Sequence, residues 1–145
     1  MLLRFREDVI SLKPAAVVIL AGINDIAENN GPSKLEDVAG NIFSMAELSK
    51  AHHIKVIVSS VLPANAFPCR PAINPVEPVA RLNAMLKNYA SKNNIIYLDY
   101  FSAMADNKQG LPANLSKDGV HPNLEGYKIM EPLVQKAIAQ ALAKK

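Results

Sequence analysis

Two short segments hold side chains from which a general base and an oxyanion donor can be built. In the first, Asp118-Gly119-Val120-His121-Pro122, a carboxylate stands three positions before an imidazole. Proline disfavours the helical conformation at the residue before it, so this pentapeptide reads as an extended or turned loop. There Asp118 can reach back to Nδ1 of His121, fix the tautomer and stabilise the imidazolium, which leaves Nε2 as a general base. A surface turn with a solvated Asp and a capping His is the alternative. In the second segment, Gly22-Ile23-Asn24-Asp25, the Asn amide is a neutral double donor of the kind a developing oxyanion requires. Here the alternative is that Asn24 and Asp25 cap a turn or a short helix. Taken together, the segments supply an oxyanion donor, a base and a carboxylate to orient the base.

These groups meet only if the fold carries Asn24 and His121, 97 positions apart, to one edge of a sheet. Residues 15–21 form a continuous apolar run rich in β-branched side chains and ended by Gly22, the pattern of a strand buried on both faces. Residues 55–61 and 95–99 repeat it. Between and around these runs the period changes. Leu2, Phe5, Val9 and Leu12 recur at helix spacing before Pro14, and Ser33-Lys34-Leu35-Glu36 reads as a capping box opening a helix to about Ala51. Val79, Leu82, Leu86 and Tyr89 mark another helix. Asn123 is the expected N-cap of a last one, which Pro132 kinks or divides. Alternating helices and strands predict βαβ crossovers, a parallel sheet of at least three strands and the α/β class. In such sheets the loops leaving the carboxyl ends of the strands carry the chemistry, and both segments lie in such loops. Residues 62–78, with five of the ten prolines, and residues 100–123 read as long irregular stretches.

Composition narrows the alternatives. The chain has 145 residues, 50% apolar and 20% charged, with a mean hydropathy of +0.07. It is too apolar for a disordered segment and lacks the apolar run a membrane helix needs. Sixteen basic against 13 acidic residues give a net charge of +3, and the basic residues are scattered, which argues against nucleic acid as a partner. A single cysteine, Cys69, excludes an internal disulfide, and with three histidines it speaks against a metal cage. Charges at Arg4, Arg6, Glu7 and Asp8 interrupt any apolar signal region, so no export signal is visible and the compartment stays open. Gly31 and Gly40 lack the spacing of a nucleotide-binding loop, and no cofactor is expected.

In these blocks the chain resembles the GDSL/SGNH hydrolase superfamily, whose later motifs have the forms Gly-x-Asn-Asp and Asp-x-x-His-Pro. The order and strand context match, and Val58-Ser59-Ser60-Val61-Leu62-Pro63 and Pro122-Asn123-Leu124-Glu125-Gly126-Tyr127 also look like the acylhydrolase branch. The resemblance implies a three-layer α/β/α sandwich with a flavodoxin-like parallel sheet, covering residues 1–145 as one domain. It implies a serine ester hydrolase acting on acyl or acetyl esters of lipids or carbohydrates. His121 would be the base, Asp118 its orienting carboxylate, and Asn24 and Gly22 the oxyanion-binding residues.

One part of the family pattern is not found. Members begin with a strand ending in Gly-Asp-Ser, whose serine is the nucleophile, and then contribute a Gly from a second block. None of the nine serines here follows Gly-Asp or lies within Gly-x-Ser-x-Gly. Ser59 or Ser60 at the end of the middle strand, and Cys69 in the proline-rich stretch, are weak substitutes. The expectation is a sheet of about three strands from a domain whose first strand and helix lie outside this sequence. A shortened, non-catalytic member that binds a ligand or a partner chain is the alternative. Either way, the edge of residues 15–21 is expected to lack its neighbour and to favour self-association.

Overall fold

The computed structural model describes residues 1–143. Three parallel strands, β1 (Ala16–Ile19), β2 (Lys55–Ser59) and β3 (Ile96–Leu98), lie in the order β1-β2-β3. In register, Val18 sits beside Ile57 and Val58 beside Tyr97. The helices are α1 (Phe5–Asp8), α2 (Ile23–Ile26), α3 (Leu35–Ala51), α4 (Val76–Lys92), α5 (Tyr100–Met104) and α6 (Leu124–Leu142).

The strand period of two divides the core. Val56 and Val58 pack with Ile19 against Ile42 and Met45 of α3 and Leu82 and Leu86 of α4. Ile57 points the other way, into a cluster with Leu98, Met104, Leu115, Met130 and Ala137 beneath α5 and α6. The sheet is therefore the middle of three layers, the α/β architecture that the alternation predicts. β2 is buried throughout after Lys55, whereas Val17 and Val18 of β1 are only half-buried and Leu20 is 38% exposed. The double-sided burial expected of β1 is incomplete because β1 is an edge strand, paired on one side only.

Which of its backbone groups remain open follows from parity. The Lys55 N–H donates to the Ala15 carbonyl at 3.1 Å and the Ser59 hydroxyl to the Ile19 carbonyl at 3.2 Å. Odd-numbered residues of β1 thus address β2, and the N–H and C=O of Ala16, Val18 and Leu20 point to the outer edge.

α3 and α4 enter the sheet by the same device. His53 (φ 61°) and Asn94 (φ 52°) are left-handed. Behind them Ile54 N–H reaches the Ser49 carbonyl and Ile95 N–H the Ala90 carbonyl, both at 2.9 Å, which closes each helix in a Schellman motif. His52 and His53 are explained as an exposed helix end.

Several local expectations fail for identifiable reasons. The first segment is not one amphipathic helix: two 3₁₀ turns, Leu2–Arg4 and Ile10–Leu12, flank the short α1. Val9 at φ −129° breaks the spiral, and only Phe5 of the apolar series is buried while Leu12 is 74% exposed. The capping box does not form, because the N-cap of α3 is Lys34 and the Ser33 hydroxyl donates instead to the Asp25 carbonyl at 3.3 Å. Residues 100–123 are not wholly irregular, since Asp99 caps α5 by accepting the Ser102 N–H. Pro132 lies within α6 without ending it, and Met130 and Ala137 on either side are buried against the sheet. No helix among the described residues is long and apolar enough to cross a membrane.

Candidate active site

A cavity of about 340 Å³ opens at the carboxyl ends of β1 and β2, and Gly22, Asn24, Leu62, Val120 and His121 are among its walls. The first loop reaches it through a backbone turn that only glycine makes easily. Gly22 has φ 117° and ψ −26°, and its carbonyl accepts the Ile26 N–H at 3.0 Å to start the single turn of α2. A β-carbon there would stand 2.6 Å from Leu82 Cδ2 and 3.3 Å from Val61 Cγ2.

Asn24 and Asp25 do not cap this helix: its N-cap is Gly22, and no side chain bonds there. The Asn24 side chain is instead fixed from outside, its Oδ1 accepting from Asn29 Nδ2 at 3.0 Å while its main-chain carbonyl accepts the Asn29 N–H at 3.1 Å. That contact turns the donor end, Nδ2, away from Asn29. Asn29 escapes sequence reasoning because only a turn signal, Asn30-Gly31, marks its neighbourhood.

The second loop is closed at its base by the Asn123 N–H, which donates to the Leu115 carbonyl at 2.8 Å, and by a bridge between Ser116 and Pro122. Within it, Asp118 Oδ2 lies 2.7 Å from His121 Nδ1. The other oxygen, Oδ1, accepts the N–H groups of His121 at 2.8 Å and Val120 at 2.9 Å. The His121 ring is 80% exposed and the Asp118 side chain 44%. One carboxylate thereby bonds both the main chain and the ring of the histidine.

The same bonds set its acidity. The His121 N–H, then the His121 ring, then the Val120 N–H hold the Asp118 carboxyl well below the usual carboxylate range, against a smaller opposing effect of burial. A depressed folded-state pKa contributes stability that is present above the unfolded value, roughly pH 4, and is lost only as pH falls through the folded value. Amide shifts of Val120 and His121 are therefore expected to stay native when an NMR titration crosses roughly pH 4. A midpoint at that pH would show that the carboxylate is not held by these donors.

The weak nucleophile candidates lie elsewhere. Ser60 is fully buried and its Oγ accepts the Phe101 N–H at 2.8 Å, while Ser59 bonds to the main chain of β1. These hydroxyls tie strands and helix together, and neither serine is among the walls of the cavity. Cys69 is exposed on the 62–75 loop and is not among the cavity walls. That loop is anchored where it leaves β2 by buried Asn83, which accepts the Val61 N–H at 2.7 Å and donates to the Val61 carbonyl at 3.2 Å. Asn83 has a sequence signal: it shares the helical stripe of Val79, Leu82 and Leu86, where a polar residue needs a buried partner.

A family model described as GDSL-like lipase/acylhydrolase matches residues 1–129. The chain belongs to this family. Solved structures agree. An acylhydrolase-like protein of Bacteroides fragilis is 51% identical with a TM-score of 0.95, over 98% of this chain and 69% of that one. A GDSL-like lipase of Bacteroides thetaiotaomicron is also 51% identical, with a TM-score of 0.94 over 97% and 70%. An acetylxylan esterase of Geobacillus stearothermophilus shares the fold at 24% identity and a TM-score of 0.76, over 94% of this chain and 64% of that one. No curated protein gives a significant match. Membership in the GDSL-like family agrees with the resemblance read from the Gly-x-Asn-Asp and Asp-x-x-His-Pro blocks, and the three-layer parallel sheet is that of its solved members.

Proposed function

We propose that this chain carries the base, the orienting carboxylate and one oxyanion donor of a serine ester hydrolase acting on acyl or acetyl esters of lipids or carbohydrates. The observation that carries the reading is the 2.7 Å contact of Asp118 with His121 Nδ1 beside the cavity that Asn24 also lines. With Nδ1 held by the carboxylate, the neutral ring keeps its proton there, and Nε2 takes the proton of an attacking hydroxyl and returns it to the leaving alcohol. Asn24 Nδ2 donates to the oxyanion, and the glycine at position 22 admits the backbone close to it.

In this reading the attacking serine belongs to a Gly-Asp-Ser strand outside these residues. The open N–H and C=O groups of Ala16, Val18 and Leu20 suit a parallel strand at that edge, whose carboxyl end would arrive at the cavity. Without such a strand the same edge is where two copies would associate.

The test joins the chain to the Gly-Asp-Ser segment of a family enzyme and follows p-nitrophenyl acetate hydrolysis. The joined protein is expected to turn over ester while the 145 residues alone do not. Asn24→Ala in the joined protein is expected to lower kcat by roughly a hundredfold to a thousandfold through loss of one oxyanion donor. Ordinary esterase activity of the chain alone, stopped by serine or cysteine reagents, would place a nucleophile within it. A folded but inert joined protein would favour a binding module.

A further inference from the structure

Ser116 is one of the few buried polar residues among the described residues, 2% exposed, and no motif singles it out. It follows the turn in which the N–H groups of Leu115 and Ser116 both donate to the Pro112 carbonyl. Its Oγ sits inside the loop that carries Asp118 and His121. There it accepts the Gly119 N–H at 2.9 Å and lies 2.8 Å from the His121 carbonyl and 3.1 Å from Asp118 Oδ1.

A hydroxyl has one proton to donate. Asp118 Oδ1 already accepts two main-chain N–H groups, whereas the His121 carbonyl is the nearer acceptor, so the proton goes to His121. Ser116 thus ties Gly119 to His121 across Val120. Gly119 is left-handed at φ 76°, so the tie spans the one residue of the loop whose backbone most easily swings away. Asp118 alone cannot fix the geometry, because the main chain whose N–H groups it accepts is the main chain that must be held. The hydroxyl does not replace the missing nucleophile, since it is enclosed and committed to the loop.

We infer that Ser116 is a positioning residue: its buried hydroxyl holds the main chain on both sides of Val120 so that the His121 ring meets Asp118 through Nδ1. The inference rests on the proposed role of the Asp118–His121 pair, yet it can be tested on the 145-residue chain without any ester hydrolysis. Ring ¹⁵N shifts of His121, recorded with the ring neutral, report which nitrogen carries the proton. In the unmodified chain the Nδ1–H tautomer is expected to dominate, and Asp118→Asn is expected to remove that dominance.

Ser116→Ala is expected to do the same, with loss of the Nδ1–H form as the majority species while the amide shifts of Ile57 and Val58 in β2 stay in place. Ser116→Thr, which keeps the hydroxyl, is expected to restore it. Ser116→Cys fills similar space with a weak donor and is expected to behave as the Ala variant; it decides the matter should the Ala chain fail to fold. An unchanged tautomer in folded Ser116→Ala or Ser116→Cys overturns the role of Ser116. A chain in which His121 lacks the Nδ1–H form from the outset, or ignores Asp118→Asn, overturns the pairing itself, and the two failures are distinct.

Discussion

Alanine at His121 is expected to remove ester hydrolysis from a protein that joins this chain to a Gly-Asp-Ser block, lowering kcat on p-nitrophenyl acetate by on the order of 10⁶-fold. The size follows from the chemistry. A serine hydroxyl attacks poorly unless its proton leaves as the bond forms, and without Nε2 only water can take it. What remains is the acceleration from oxyanion donors and binding, roughly 10³–10⁴-fold over water. Because the His121 side chain is 80% exposed, its truncation removes little packing, and the melting temperature is expected to stay unchanged. A loss of turnover with an unchanged melt separates catalysis from folding. Asp118→Asn is expected to cost about 10⁴-fold, since an amide that donates to Nδ1 forces the wrong tautomer. Full turnover in the His121→Ala protein would return the residue to a structural part.

Gly22→Ala acts on the opposite side of the cavity and through stability. Two independent penalties coincide there. A φ of 117° is strained for any residue with a β-carbon, and that carbon would lie 2.6 Å from Leu82 Cδ2. Leu82 is fully buried between α4 and the sheet and cannot swing aside without opening the core. Together these are expected to destabilise the fold by about 4 kcal/mol, a large share of the stability of a domain this size. The melting temperature then falls by roughly 10 °C or more. Leu82→Ala alone leaves a cavity and costs about 2–5 kcal/mol, yet in the double variant the clash is gone. The pair should therefore be less harmful than the sum of its members, the mark of direct contact. A melt of Gly22→Ala within a few degrees of the parent would show that the turn relaxes freely.

The strands were legible because β-branched runs between helical patterns have few other uses. Their ends were not: the apolar run to Ala21 outlasts β1, which stops at Ile19 because Leu20 and Ala21 already form the cavity wall. The meeting of Asp118 with His121 was legible because three positions in a loop suffice to bring a carboxylate to a ring. Asn29, Asn83 and Ser116 were harder, since each bonds to atoms whose placement depends on the turn of a loop or the end of a strand. The failed capping box teaches the same lesson. Ser33 fits the motif, but a carbonyl from the preceding loop competes for its hydroxyl.

The register of the sheet has a consequence for how the site comes into being. Ala16 pairs with Lys55 and Ile57 with Ile96, so each pairing closes a chain segment of 39 positions. Closure entropy depends on length alone to first order, and neither pairing has an entropic head start on the other. Each segment also carries a helix of 17 residues ended by the same motif. Loop length therefore does not set the order in which β1 and β3 join β2. The histidine and its carboxylate meet across a few residues, within reach of a short loop in an otherwise open chain. Their alignment with Asn24 waits for the long closure of β1 on β2. The wall that Asn24 supplies to the cavity therefore depends on β1 pairing with β2, whereas the Asp118–His121 contact lies within one short loop.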